Sequence, residues 1–137
     1  MVGYLLDTNV VSELRKIKPH GGVLAWLSRQ NPSWLFISAI TIGELQAGVE
    51  RTRPQDEKKA REIEAWIEGI LQSQQILPMD AHCFRAWARL MEGKSNSLVE
   101  DAMIAATAHV HSLTVVSRDE KDFGQLGVNI INPFKMP

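Results

Sequence analysis

Short apolar runs alternate with helix-like stretches along almost the whole chain, and this order constrains the fold more than any other feature. The runs are rich in aromatic and β-branched residues, which is typical of buried strands. They cover residues 2–6, 34–37, 76–77, 114–117 and 128–131, with helix-like sequence at 10–16, 23–29, 38–50, 56–73, 80–91, 97–111 and 119–126. Because strands that alternate with helices pair in parallel, we predict a three-layer α/β/α domain with a small, mainly parallel sheet and the last strand at its edge.

Length and composition fit one globular domain. A chain of 137 residues, 45% of them hydrophobic and 23% charged, can bury one core. We therefore assign residues 1–137 to a single domain. Cys83 is the only cysteine, so no internal disulfide can form, and with no signal-peptide pattern we expect a cytoplasmic protein with Cys83 in its core. The net charge of −1 neither favours nor excludes a nucleic-acid substrate.

Two acidic residues follow predicted strands. Asp7 comes directly after the first strand, and Asp119 follows the strand that ends at Ser117. Because ligands of open parallel sheets bind beyond the carboxyl ends of the strands, these two carboxylates can converge in one crevice. Either residue could instead cap the helix that follows it, since Asp is a favoured N-cap.

A third acid, Asp101, lies on a helix face of small apolar residues. That face consists of residues 98, 102, 105 and 108 and would pack on the sheet. Ser97 and Glu100 match a capping box, which would give Glu100 a structural role at the start of the helix. A buried lone carboxylate is costly unless it is paired, and a metal ion is its strongest partner. The alternative is a solvated acid in the first helical turn.

Glu44 is a fourth candidate, in an otherwise uncharged stretch from Ser38 to Leu45. It could form a capping box with Thr41, or it could point at the same crevice. Four carboxylates repel one another unless cations neutralise them, and an oxygen-only set suits Mg²⁺ or Mn²⁺. The sequence has no Cys/His spacing for zinc, and we expect the histidines at the surface or at the edge of the core.

These residues stand in four motifs that together resemble the PIN-domain superfamily, and within it the VapC toxins and the related FitB-like group. The motifs are LLDTNV at 5–10, SAITIGELQAGV at 38–49, EDAMIAATA at 100–108 and VVSRDEKDF at 115–123, followed by NPF at 132–134. They stand in family order and span nearly the whole chain. The resemblance implies a PIN-like α/β/α fold.

The resemblance also assigns roles to individual residues. The implied catalytic and metal-binding quartet is Asp7, Glu44, Asp101 and Asp119. Asp7 and Asp101 are the first choice for direct metal ligands. The fourth motif holds two acids, and either Asp119 or Asp122 could face the metal; Asp119 is favoured, with Asp122 as an auxiliary residue. The residues expected to orient the carboxylates are Thr8, Asn9 and Ser117.

The function that the resemblance implies is endoribonuclease activity. A metal-activated water would hydrolyse an RNA phosphodiester bond, with Mg²⁺ or Mn²⁺ as the cofactor. The protein would be the toxin of a type II toxin–antitoxin system. It would form a homodimer, bind a cognate antitoxin, and reach operator DNA through the antitoxin complex.

Other interpretations of the residues remain open. Two basic groups, Arg15, Lys16 and Lys18 after the first motif and Arg51 and Arg53 after the second, could hold RNA phosphates or could form solvated surfaces. A phosphohydrolase would use Asp7 as its nucleophile, although such enzymes usually carry a second acid where this chain has Asn9. A non-catalytic PIN-fold module would bind RNA or a protein partner without cleaving anything.

Overall fold

Five strands and seven α-helices alternate along residues 2–136, the part of the chain that the computed structural model describes. The strands are β1 (Tyr4–Leu6), β2 (Leu35–Ser38), β3 (Gln75–Leu77), β4 (Thr114–Val116) and β5 (Ile130–Ile131). The helices are α1 (Thr8–Glu13), α2 (Gly21–Ser28), α3 (Ala39–Thr52), α4 (Glu57–Ser73), α5 (Ala81–Met91), α6 (Val99–Val110) and α7 (Glu120–Gly124). Met1 and Pro137, the two ends of the predicted domain, lie outside the described residues.

The sheet is entirely parallel, with the strand order β3-β2-β1-β4-β5. Leu6 of the central strand lies opposite Ile37 on one side and Val116 on the other. The chain builds outwards from β1 to β2 and β3, then returns to add β4 and β5 on the opposite side. The boundary between β1 and β4 is therefore a topological switch point, where open parallel sheets form a crevice beyond the carboxyl ends of their strands.

The core occupies both faces of this sheet. Leu5 and Val115 belong to a buried cluster with Ile104 and Phe123, whereas Leu6 and Val116 belong to a second cluster on the opposite face. The division follows from the alternation of side chains along a strand. A third cluster joins α3 to α4. The predicted three-layer α/β/α arrangement is thus confirmed, and the predicted edge position of the last strand is confirmed by β5.

One predicted helix start was wrong, and a capping box considered at Thr41 does not form. Helix α6 begins at Val99 after a 3-10 turn at Asn96–Leu98, and its N-cap residue makes no side-chain bond. The Oγ of Ser95 accepts the Ser97 N–H at 3.2 Å, so Ser97 belongs to the turn and forms no capping box with Glu100. Helix α3 likewise begins earlier than a Thr41 cap would allow, because the Oγ of Ser38 accepts the Ile40 N–H at 3.1 Å. Both glutamates are therefore free of the capping roles considered for them.

The cysteine and the histidines lie where the sequence predicted them. Cys83 is fully buried, as predicted. His82, His109 and His111 are exposed, and the Nδ1 of His20 accepts the Gly22 N–H at 3.0 Å as the cap of α2. Within residues 2–136, every helix is too short or too polar to cross a membrane.

Candidate metal centre

Asp7 occupies the carboxyl end of the central strand β1 and is 4% exposed. Its Oδ1 accepts the Thr8 N–H at 2.8 Å and so caps α1. Its Oδ2 accepts the Ser117 hydroxyl at 2.6 Å and the Asn9 amide at 3.2 Å. Burial raises the pKa of Asp7, and the bonds from Ser117 and Thr8 offset this only in part. The carboxylate thus serves the helix cap with one oxygen and faces the crevice with the other.

Asp101 and Asp119 reach the same crevice from different elements. One carboxylate oxygen each from Asp7, Asp101 and Asp119 lies within 4.8 Å of the other two. Asp101 projects half-buried from the first turn of α6, and Asp119 is exposed in the loop between β4 and α7. Asp119 holds the N-cap position of α7 without a side-chain capping bond, so its carboxylate is free to face the other two.

Burial and neighbouring negative charges raise the pKa of Asp101 to about 7. Burial is the largest cause, followed by the charges of Asp7, Asp119 and Asp122. The nearby Asp122 carboxyl thus also helps to raise the pKa of Asp101. Both acids of the fourth motif therefore lie near Asp101. The structure brings Asp119 into the cluster of three, with Asp122 beside it.

Glu44 projects from α3 near this centre, and the hydroxyl of Thr8 holds its carboxylate. Its Oε1 accepts the Thr8 hydroxyl at 2.9 Å, and the Thr8 oxygen lies 3.0 Å from that of the buried Thr41. Burial and the neighbouring charge of Glu100 raise the pKa of Glu44 to about 7, against the opposing bond from Thr8. Sequence reasoning missed Glu100 here because its apparent capping box gave it another role.

The buried Ser117 and the half-buried Asn9 contact both Asp7 and Asp119 and so fix their relative positions. The Ser117 hydroxyl donates to Asp7 and accepts the backbone N–H of Asp119 at 3.0 Å. The Asn9 amide nitrogen donates to Asp7 and to Ser117, and lies 3.5 Å from the Oδ2 of Asp119. Its oxygen accepts the Arg118 N–H at 3.2 Å. These contacts fit the orienting roles expected of Thr8, Asn9 and Ser117, and their effect on metal binding stays a prediction.

The predicted basic residues divide into paired and unpaired groups. The Lys16 ammonium lies 2.7 Å from the Glu13 carboxylate, and Arg53 bridges glutamates 50, 57 and 64. Arg15 and Arg51 instead line a groove that adjoins Glu44. Lys18 is exposed and is not among the residues that line this groove. Proximity in sequence to the acidic motifs therefore did not predict which cations lie near the centre.

The chain is similar to known proteins over most of its length. The family model for the PIN domain matches residues 4–129. The chain belongs to the PIN-domain family. It is 38% identical to VapC ribonuclease Y4jK of Sinorhizobium fredii, covering 96% of this chain and 97% of that protein, and 36% identical to toxin FitB of Neisseria gonorrhoeae, covering 95% and 97%.

A solved structure shows the same architecture. The structure of FitAB bound to an IR36 DNA fragment superimposes with a TM-score of 0.84 at 34% identity, covering 98% of this chain and 97% of that one. The predicted resemblance to PIN domains, and to the VapC and FitB groups within them, is confirmed.

The raised pKa of Asp101 predicts how the stability of the metal-free protein depends on pH. Folding raises the pKa of Asp101 from 3.8 to about 7. The contribution of the protonated carboxyl to the free energy of unfolding is therefore fully present below pH 4 and is lost as the pH rises through about 7. In EDTA, we expect the Asp101→Asn variant to melt about 4 °C above wild type at pH 8, roughly 1 kcal/mol for a half-exposed group, and the gap to shrink towards pH 5. Circular-dichroism melts at each pH measure it. Parallel pH profiles for both proteins would contradict this prediction.

Proposed function

We propose that this chain is a divalent-metal-dependent endoribonuclease that hydrolyses RNA phosphodiester bonds. The observation that carries the proposal is the convergence of Asp7, Asp101 and Asp119, within 4.8 Å of one another, at the switch point of a parallel sheet. The family supports the reaction class, since the relative in Sinorhizobium fredii is named a ribonuclease.

The donor set fits Mg²⁺ or Mn²⁺. The converging ligand atoms are all carboxylate oxygens, which hard divalent cations prefer. Burial and neighbouring carboxylates raise the pKa values of Asp101 and Glu44, and a bound cation would favour their charged forms. In this proposal Asp7 and Asp101 hold the ion directly, while Asp119 and Glu44 complete the site or hold its waters. The bound ion would lower the pKa of a water nucleophile and neutralise charge that develops on the phosphate.

The remaining polar residues position these groups. Ser117 and Asn9 hold Asp7 and Asp119 through shared hydrogen bonds. Thr8 holds Glu44. Because hydrogen bonds fix the Asp7 and Glu44 carboxylates before a ligand arrives, less ordering cost is left for the binding step. The chemistry requires no covalent nucleophile from the protein.

The geometry disfavours the phosphohydrolase alternative. Both oxygens of Asp7 already accept hydrogen bonds, one of them within 2.6 Å of a buried hydroxyl, which lowers their nucleophilicity. Residue 9, where a second acid would be needed, is an asparagine that donates to Asp7. The non-catalytic alternative leaves the accumulation of like charges at the switch point without a purpose.

We further propose that the protein is the toxin of a type II toxin–antitoxin system in the cytoplasm, and that it acts as a homodimer held inactive by a small antitoxin. The likeness to toxin FitB, and to FitAB bound to a DNA fragment, supports an antitoxin partner that links the complex to operator DNA. Expression of this chain alone is expected to arrest growth of a bacterial host, and Asp101→Asn is expected to relieve the arrest.

Cleavage of cellular RNA tests the reaction. Purified protein, free of any partner, is incubated with total RNA in Mg²⁺, in Mn²⁺ and in EDTA. We expect fragments in either metal and none in EDTA, with the ends mapped by sequencing to identify the target. Intact RNA in all three conditions, from a folded protein that binds Mn²⁺, would overturn general nuclease activity and favour a binding module. A trapped aspartyl-phosphate would favour the phosphohydrolase.

The hydroxyl of Ser117 offers a separate test of how the site is held. Ser117→Ala removes the 2.6 Å bond to Asp7 and the acceptor for the Asp119 N–H. Because groups that orient metal ligands typically contribute 10–100-fold to affinity, we expect about that loss in Mn²⁺ affinity by calorimetry. Ser73→Ala, at an exposed helix position, is the matched control. Equal affinities for the two variants would show that Ser117 does not position the ligands.

A further inference from the structure

A groove leads away from the acidic centre, between the end of α1, the second half of α3 and the start of α4. Its cavity has a volume of about 740 Å³, in the range of ligand sites. Thr8 and Glu44 form the end nearest the acids, and Gly48 leaves part of the α3 wall without a side chain. The groove therefore adjoins the acidic centre through Thr8 and Glu44, although none of the three converging aspartates lines it.

Three cations from three different elements line this groove: Arg15 after α1, Arg51 on α3 and Lys59 in the first turn of α4. All three are exposed. The ion pairs found within residues 2–136 engage other basic residues, among them Lys16 and Arg53, and leave these three free. Convergence of unpaired cations from separate parts of the chain is costly without a counter-charge, and it points to an anionic ligand.

The acids of the groove are already engaged. Asp56 caps α4, with its Oδ1 accepting the Lys59 N–H at 3.0 Å, so the amide end of that helix is satisfied by the protein itself. Glu44 is held by Thr8 at the end nearest the centre. Binding of an anion in the groove would therefore depend on the three side-chain cations rather than on the helix terminus.

A second cavity of about 480 Å³ extends the groove away from the centre. The two cavities share Arg15, Asp56, Lys59 and Ile63, and the second adds Ile17, Lys58 and Glu62. The cations thus follow a path instead of surrounding a single point. A path of this kind fits a polyanionic chain better than a single small anion.

We propose that this groove binds the phosphates of the RNA strand on the Glu44 side of the scissile bond. The inference rests on the proposed function and extends it. Arg15, Arg51 and Lys59 act as positioning residues: they contact backbone phosphates, carry no base specificity, and offset the repulsion between the substrate and the acidic centre. RNA is favoured over an acidic protein segment because the end of the groove lined by Thr8 and Glu44 adjoins the proposed site of cleavage.

Salt dependence of RNA binding tests this path. In the Asp101→Asn background, with Mg²⁺ present, binding of a single-stranded oligoribonucleotide is measured by fluorescence anisotropy at increasing KCl concentration. We expect Arg15→Gln, Arg51→Gln and Lys59→Gln each to reduce the slope of log K against log salt by about 0.7, and the triple variant by about 2. Arg61→Gln, an exposed position on α4 outside both cavities, is the matched control and should leave the slope unchanged.

Cleavage by the same groove variants with Asp101 intact distinguishes a failure of the groove proposal from a failure of the proposed nuclease activity. We expect KM to rise with kcat nearly unchanged, because these contacts are made equally in the ground and transition states. If the slopes and KM are unaltered in a protein that still cleaves RNA, the groove does not bind the substrate, although the proposed nuclease activity is retained. A wild type that neither binds nor cleaves RNA would overturn both. Loss of binding to a polyglutamate peptide but not to RNA would make the groove a protein-binding surface.

Discussion

Replacement of Asp101 by Asn is expected to reduce metal-dependent RNA cleavage by about a thousandfold. Asp101 supplies one of the three carboxylates that converge within 4.8 Å, and the amide that replaces it has no charge with which to hold a divalent ion. The loss should exceed the 10–100-fold typical of residues that only orient ligands, and it corresponds to about 4 kcal/mol of transition-state stabilisation. Initial rates on a fluorescent RNA substrate in Mn²⁺ measure it.

Asp80→Asn is the matched control for this prediction. Asp80 caps α5 through the Cys83 N–H at 3.0 Å, and Asn preserves such a cap, so activity and fold should both be retained. Calorimetry with Mn²⁺ should show lost metal binding for Asp101→Asn only. If Asp101→Asn cleaved RNA at the wild-type rate while folded, the three-carboxylate centre would not be the catalytic site.

Replacement of Phe123 by Ala is expected to lower the free energy of unfolding by about 3–5 kcal/mol. Phe123 is fully buried against Leu5, Ile104 and Val115, so the substitution leaves a cavity in the core of one sheet face. It also loosens α7, which carries Asp122 and directly follows Asp119. Urea denaturation measures the stability, and we expect metal affinity to fall with it.

Phe84→Ala provides the same chemical change at an exposed position. Phe84 is 45% exposed and packs edge-on against Trp87 with ring centroids 6.2 Å apart. We expect a loss of about 1 kcal/mol, because roughly half of its apolar surface is already in water. Similar losses for the two variants would show that Phe123 does not anchor α7 to the core.

Periodicity and the positions of acids relative to strands predicted much of this molecule. The strand and helix order fixes a parallel sheet because a right-handed crossover through a helix is the only short route between parallel neighbours. Asp7 and Asp119 follow strands that turn out to be adjacent, so their convergence could be anticipated. Asp101 could be anticipated as well, since an acid on an alanine-rich helix face is out of place unless it has a partner.

Other features depended on contacts that local patterns do not encode. The Ser97–Glu100 and Thr41–Glu44 patterns both fit a capping box, yet neither box forms, because Ser95 and Ser38 begin those segments instead. The charge of Glu100 instead helps to raise the pKa of Glu44. A capping-box sequence shows only that the two side-chain bonds could form. Whether they form depends on where the preceding chain begins the helix.

Hydrophobic period and motif order are properties of the chain, and they were enough to predict the family, the layered parallel architecture and the acids that meet at its switch point. Which charges remain available could be known only from the packed structure. Arg53 forms ion pairs with three glutamates, whereas Arg15, Arg51 and Lys59 form none in the described part of the chain and line the groove that begins at Thr8 and Glu44. The physical reason is that charge pairing acts through space over a few ångströms, and residues from α1, α3 and α4 become neighbours only when the helices pack.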